Sequence, residues 1–327
     1  MTVVADTLLD VRNLTVDLGT EDGTVRPVDN VSFSVAPGEI LGLVGESGCG
    51  KTMAALSLMR LLPTASQTSG QVLLEGRDLL QLSEKDMQHT RGHKFSMVFQ
   101  EPMTSLDPVF TVGHQVTEAV RAHRSIGRED AKELAIGMLT QVGIARPQER
   151  LADYPHQLSG GMRQRVMIAI ALILEPKLLI ADEPTTALDV TIQAQILDLI
   201  KDLQHRFDMG VLLISHDLAV VGEVADRVAV MYSGEIVEII GADSLFRAPR
   251  HPYTQGLLRC IPGMASAESY LNVIDGRVPD LRYLPPACRF APRCPHVIER
   301  CWQDRPQLEN VADDQYVSCW NPQPFVL

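Results

Sequence analysis

Gly45-Glu46-Ser47-Gly48-Cys49-Gly50-Lys51-Thr52 is the stretch that decides how this chain folds. The octet fits GxxxxGK[ST], follows the apolar run Ile40-Leu41-Gly42-Leu43-Val44 and precedes an apolar helical pattern over 53–62. That is the strand, loop and helix context the motif requires. Glycines let the backbone curl so that successive N–H groups point inward, and the start of the helix adds its positive end. Lys51 would reach the β- and γ-phosphates and Thr52 would offer a hydroxyl to Mg²⁺. All eight residues are therefore candidates for holding a nucleoside triphosphate; the plainer alternative is a glycine-rich turn. Cys49 reads as a small loop residue, although its place beside Lys51 and a helix start also admits a thiol of lowered pKa.

Outward from this loop, 178–181 and 211–214 are further short apolar runs, with helical periodicity between them at Ile196, Leu199, Ile200 and Leu203. Buried parallel strands alternating with helices read this way, which predicts an α/β sheet over the first 240 residues or so. The run at 178–181 delivers Asp182 and Glu183 at its C-terminal end, where such sheets bind ligands. Asp182 would orient Mg²⁺ and Glu183 would act as general base on the attacking water. From residue 84 to 152 the pattern turns mostly helical, with 117–123 and 128–142 the clearest segments, and predicts an inserted helical subdomain. After 245 the chain grows rich in proline and cysteine, and 246–327 reads as a separate module.

Lys and Arg number 29 against 41 Asp and Glu, a net charge of −12, which argues against nucleic acid as a partner. Apolar residues at 45% suffice for a core in each of about two domains. The longest apolar stretch with helix character, 166–174, is less than half of the roughly 20 residues that cross a bilayer. The N-terminus MTVVADTLLD has neither the basic start nor the apolar middle of a signal peptide, so the chain is expected in the cytoplasm with its thiols reduced.

Between the two nucleotide motifs lies Leu158-Ser159-Gly160-Gly161-Met162-Arg163-Gln164-Arg165. Physically this is another N–H-rich helix start suited to a phosphate, or simply a capped helix. It resembles the signature of the ATP-binding-cassette ATPases, and the three motifs stand in that family's order. The resemblance implies a P-loop NTPase cassette over 1–245, with the helical subdomain at about 84–165. It also implies that Ser159, Gly160 and Gly161 face a nucleotide held by an opposite subunit, two nucleotides being sandwiched between two cassettes. By the same resemblance Gln100 contacts Mg²⁺ and water, Asp189 in Ala187-Leu188-Asp189 lies at the dimer interface, and His216 holds the γ-phosphate and catalytic water. The adenine-stacking aromatic of such cassettes has no counterpart here: the stretch from Leu14 to Gly19 offers only Leu18 to cover the base.

The phrases Gln100-Glu101-Pro102-Met103-Thr104-Ser105-Leu106-Asp107-Pro108, Ala181 to Thr191, and Arg250-His251-Pro252-Tyr253-Thr254 are similar to the ATPase subunits of bacterial dipeptide and oligopeptide importers. That implies ATP hydrolysis driving peptide import from the cytoplasmic face of the membrane. The partners implied are a second, different cassette, two permeases and an external substrate-binding protein, coupled near Gln100 and 104–108. Related ATPases serve nickel, oligosaccharide and glutathione importers, and a soluble cassette of DNA repair or translation is the alternative of a different class. The C-terminal thiols read C-x5-C-x6-C-x17-C, Cys288, Cys294, Cys301 and Cys319. Four thiolates suit zinc or an iron–sulfur cluster. The resemblance implies a [4Fe–4S] cluster, with zinc or unliganded thiols as alternatives and His296 as a substitute ligand.

Overall fold

The computed structural model describes residues 7–21, 23–100, 105–186, 188–261 and 273–325. Of the motif residues above, Glu101 to Thr104 and Ala187 lie outside these. The principal elements run, in chain order, β1 (Leu9–Thr20), β2 (Gly23–Val35), β3 (Ile40–Val44), α1 (Lys51–Leu58), β4 (Ser66–Leu74), β5 (Arg77–Asp78) and α2 (Glu84–Thr90). Next come β6 (Phe95–Val98), α3 (Val112–Arg121), α4 (Arg128–Gln141), α5 (Gly160–Leu172), β7 (Leu178–Asp182), α6 (Val190–Phe207) and β8 (Gly210–Ser215). The chain ends with α7 (Leu218–Val224), β9 (Arg227–Tyr232), β10 (Glu235–Gly241), α8 (Pro252–Arg259), β11 (Glu309–Ala312) and β12 (Gln315–Val317). The chain divides into two compact units, one holding Ala36–Glu39 and Gln81–Leu212, the other Leu9–Val35, Ile40–Leu80 and Leu213–Leu327.

In the second of these units β1 pairs antiparallel with β2 on one side and β4 on the other. Its Leu9, Val11, Leu14 and Val16 are buried while Asp10 and Arg12 are not, two runs of the period-two pattern of a strand with one packed face, offset by the irregularity at Asn13. β3 and β9 run parallel, Leu41 opposite Arg227 and Val44 opposite Val230. β3 is buried at every position, so it shows a continuous apolar run and no alternation. Gly42 lets α7 approach: a Cβ there would come 2.1 Å from Val221 Cγ1. β9 continues through the Ser233-Gly234 turn into antiparallel β10, which pairs with β12, and β12 with β11. The proline- and cysteine-rich residues are thus not set apart as their composition suggests; Tyr316 and Val317 join the sheet opposite Ile239 and Glu238.

In the other unit β6 and β7 are parallel, Phe95 opposite Leu178 and Val98 opposite Ala181. β6 is a strand inside the stretch expected to be mostly helical, because its four residues are all buried and pair with β7. Helix α3 starts earlier than its apolar pattern suggests, since Thr111 Oγ1 accepts the His114 N–H and caps it. α4 buries Ala131, Ala135, Met138 and Leu139, and α6 buries Ile196, Leu197, Ile200 and Leu203, stripes at the helical spacing. Among the described residues no helix is long and apolar enough to cross a membrane.

Candidate functional site

The phosphate loop leaves β3 at Gly45 and ends where Gly50 opens α1. Two positions admit only glycine. A Cβ on Gly45 would lie 2.1 Å from the Met231 carbonyl oxygen, and one on Gly50, at φ +109°, 2.0 Å from that of Pro27. No side chain caps α1, so its first N–H groups face the loop, an arrangement that suits an anion. Lys51 is 5% exposed, and its Nζ donates to the carbonyls of Gly45 at 2.8 Å and Glu46 at 3.2 Å. The ammonium is thereby held inside the curl of Gly45, Glu46, Ser47 and Gly48, with Thr52 the next residue of the helix. Cys49 is fully buried. Burial raises its thiol above the ordinary range against the pull of Lys51, so the lowered pKa that the sequence admitted is not what the fold produces.

Two contacts to this loop come from far along the chain. The Glu46 N–H donates to Tyr253 Oη at 3.0 Å, and Arg293 donates to the Glu46 carboxylate from Nη1 at 2.7 Å and Nη2 at 3.2 Å. His216, exposed after β8, lies in this same unit, where Asp217 Oδ1 accepts from the N–H groups of Ala219 and Val220 to cap α7. Leu18 lies half-buried in β1, opposite Val25 and Ser66.

In the other unit Asp182 ends β7 at 1% exposure, and Glu183 follows in the left-handed region at φ +45°. Gln100 Nε2 donates to Glu183 Oε2 at 3.1 Å, and Thr186 Oγ1 donates to the same oxygen at 2.8 Å. Ser159 caps α5 by accepting the Met162 N–H at 3.3 Å, and Asp189 caps α6 by accepting that of Ile192 at 3.0 Å. Gly161 allows a close approach: a Cβ there would lie 3.0 Å from Ile192 Cγ2, whereas one on Gly160 would make an ordinary contact with Leu188.

A family model described as ABC transporter matches residues 28–186, and one described as oligopeptide/dipeptide transporter, C-terminal region, matches 237–301. The Bacillus subtilis oligopeptide transport ATP-binding protein AppD is 49% identical over 96% of this chain and 96% of its own. The chain belongs to the ATP-binding proteins of peptide ABC transporters. The Escherichia coli dipeptide transport ATP-binding protein DppD is 47% identical over 96% of this chain and 97% of its own. Among solved structures, the dimeric bacterial ABC transporter cassette MJ0796 is 26% identical, with a TM-score of 0.64 over 72% of this chain and 98% of that one. The ABC cassette fold expected from the motifs is the fold found, and the chain is an ABC-type ATPase.

The metal expected among this member's C-terminal cysteines is not supported. Among the described residues no three His, Cys, Asp or Glu side chains are grouped so as to hold a metal ion. Cys288, Cys294, Cys301 and Cys319 are free thiols, and the [4Fe–4S] cluster and its zinc alternative both fall. Burial, reinforced by the neighbouring thiols, pushes Cys288 up to about 11 and Cys319 up to about 12. Their groups serve the local chain instead: the Cys288 N–H donates to the Cys301 carbonyl at 3.1 Å, and Cys319 Sγ accepts the Asn321 N–H.

Proposed function

We propose that this chain is the ATP-hydrolysing subunit that powers import of di- or oligopeptides through a membrane ABC transporter. The observation that carries the hydrolytic part is the Glu183 carboxylate, gripped by Gln100 and Thr186 at the end of a buried strand and beside Asp182. The likeness over nearly the full chain to proteins named for oligopeptide and dipeptide transport supports the cargo.

In this reading Gly45 to Thr52 hold the triphosphate of ATP, with Lys51 on its β- and γ-oxygens and Leu18 against the base. Thr52, Asp182 and Gln100 offer the oxygen donors that Mg²⁺ favours, and would hold it. When bound, that ion neutralises charge on the phosphates. Glu183 accepts a proton from the attacking water, and the hydrogen bonds from Gln100 and Thr186 fix the carboxylate for that transfer. His216 orients the γ-phosphate and water. Ser159, Gly160 and Gly161 serve the nucleotide of a second, homologous cassette in a heterodimer, with Asp189 at the boundary between the two. One cassette alone is then half of each site.

Residues 1–245 form the cassette of this reading, with 84–165 as its permease-facing helical subdomain and 246–327 as the importer-type extension. The assembly includes two permeases and a substrate-binding protein outside the cell, and this subunit sits peripherally on the cytoplasmic face. The test is reconstitution of the complex in lipid vesicles with a radiolabelled dipeptide. Uptake that needs ATP on the cassette side is the expected result; ATP hydrolysis that moves no peptide overturns the cargo.

A further inference from the structure

The phosphate loop is held from the C-terminal region at two points. At Glu46 the grip is double, Arg293 on the carboxylate and Tyr253 on the N–H. Arg293 is itself fixed, since its Nε donates to the Asp275 carbonyl at 2.9 Å and its Nη2 to that of Ile274 at 3.2 Å. Tyr253 is fully buried, its ring centroid 4.6 Å from Tyr232 and 5.4 Å from Phe290. At Cys49 the grip is indirect. The Gly234 N–H donates to the Cys49 carbonyl at 2.8 Å, the preceding Ser233 carbonyl accepts from Arg289, and Arg289 is ion-paired with Asp29 and Glu235.

A carboxylate in the second position of a loop that receives a triphosphate is an unfavourable charge. Unpaired, it repels the incoming anion and leaves the loop backbone free to move. Two N–H groups of a planar guanidinium cancel that charge and fix its direction, which a flexible ammonium does less well. Arg293 side-chain exposure is 4% against 29% for Glu46, so the pair is shielded on the arginine side and screened little there.

We propose that the C-terminal region sets the affinity of the phosphate loop for nucleotide, with Arg293 as the positioning residue that fixes and neutralises Glu46. The inference rests on the reading that this loop takes ATP. The short turn Ala291–Arg293 that carries Arg293 is then a control point: any partner that shifts it loosens the loop.

The experiment measures ATP affinity of the full chain by titration calorimetry with Mg-ATP, for wild type, R293M, R293K, E46Q and the E46Q/R293M pair, with urea midpoints alongside. R293M should weaken ATP about tenfold, because one shielded charge partner is lost. R293K should fall between, since it keeps charge and loses the fork. In the E46Q background, where no charge is left stranded, R293M should change affinity by less than about twofold, a coupling that a merely structural role for Arg293 would not produce. If R293M does not fold, R293K and E46Q decide: wild-type affinity in R293K overturns the inference. Equal losses from R293M with and without E46Q also overturn it. Failure of wild type itself to bind ATP removes the nucleotide reading instead, so the two failures are distinct.

Discussion

Gln100 and Glu183 lie 83 residues apart in sequence and share one hydrogen bond of 3.1 Å, from the Gln100 amide to the carboxylate oxygen that Thr186 also reaches. Adjacent parallel strands bring them together, since β6 stops just before Gln100 and β7 just before Glu183. A carboxylate held by two donors keeps one orientation. If Glu183 is the proton acceptor, E183Q removes it and keeps the shape, so ATP binding should persist while phosphate release from the assembled transporter drops by roughly 10²–10⁴-fold. Wild-type turnover in that variant counts against Glu183 as base. Gln100→Ala should cost less than E183Q, because Thr186 still holds the oxygen.

Gly50→Ala tests the loop geometry. The new methyl would meet the Pro27 carbonyl oxygen at 2.0 Å, at a φ that L-residues rarely adopt. The backbone strain alone costs roughly 1–3 kcal/mol, and relief of the clash must displace the loop. A lower urea midpoint together with weaker ATP binding is expected; an unchanged midpoint would mean that the loop has another conformation.

Ser159→Ala removes a helix cap and a candidate phosphate contact together. Loss of the cap should cost about 1 kcal/mol of stability. If Ser159 serves the opposite nucleotide, hydrolysis should fall at the partner cassette's site in a heterodimer. ATPase assays with the variant confined to this chain, and the partner's own base intact, separate the two effects.

His251 gives a pH signature. Burial pushes it down to about 3, so it stays neutral in the fold, where its Nδ1 accepts the Tyr253 N–H. The unfolded chain binds that proton below its ordinary value of about 6.5 and the folded chain does not. Stability from this group is therefore complete above pH 6.5 and is lost as pH falls toward 3. The neighbouring Glu238 works oppositely, because burial raises its carboxyl. The difference between wild type and His251→Gln cancels that term. Wild type should lose about 1.4 kcal/mol relative to the variant per pH unit below 6.5, read from urea unfolding at pH 7 and pH 5.

Where chemistry is local, the sequence was readable. The loop from Gly45 to Thr52, the strand ending at Asp182 and the cap at Ser159 each depend on neighbours a few residues away, and each lies in the element its pattern predicted. The α4 boundaries, 128–141 against an expected 128–142, show the same for a helix with a clear apolar stripe. What composition could not tell was where the C-terminal residues go. Prolines and cysteines after 245 suggested a separate module built round a metal, whereas strand pairing at Ile239 with Tyr316 ties the segment into the sheet and no group of side chains among the described residues is placed to hold a metal ion. Arg293 and Tyr253 carried no usable signal for Glu46, because contacts across 247 and 207 residues depend on the finished fold.

That separation also bears on how the protein is made. Glu46 leaves the ribosome 247 residues ahead of Arg293, so throughout that interval a nascent chain carries its phosphate loop without the guanidinium that pairs with it. Chains stalled or cleaved before residue 293 would therefore compete poorly for ATP.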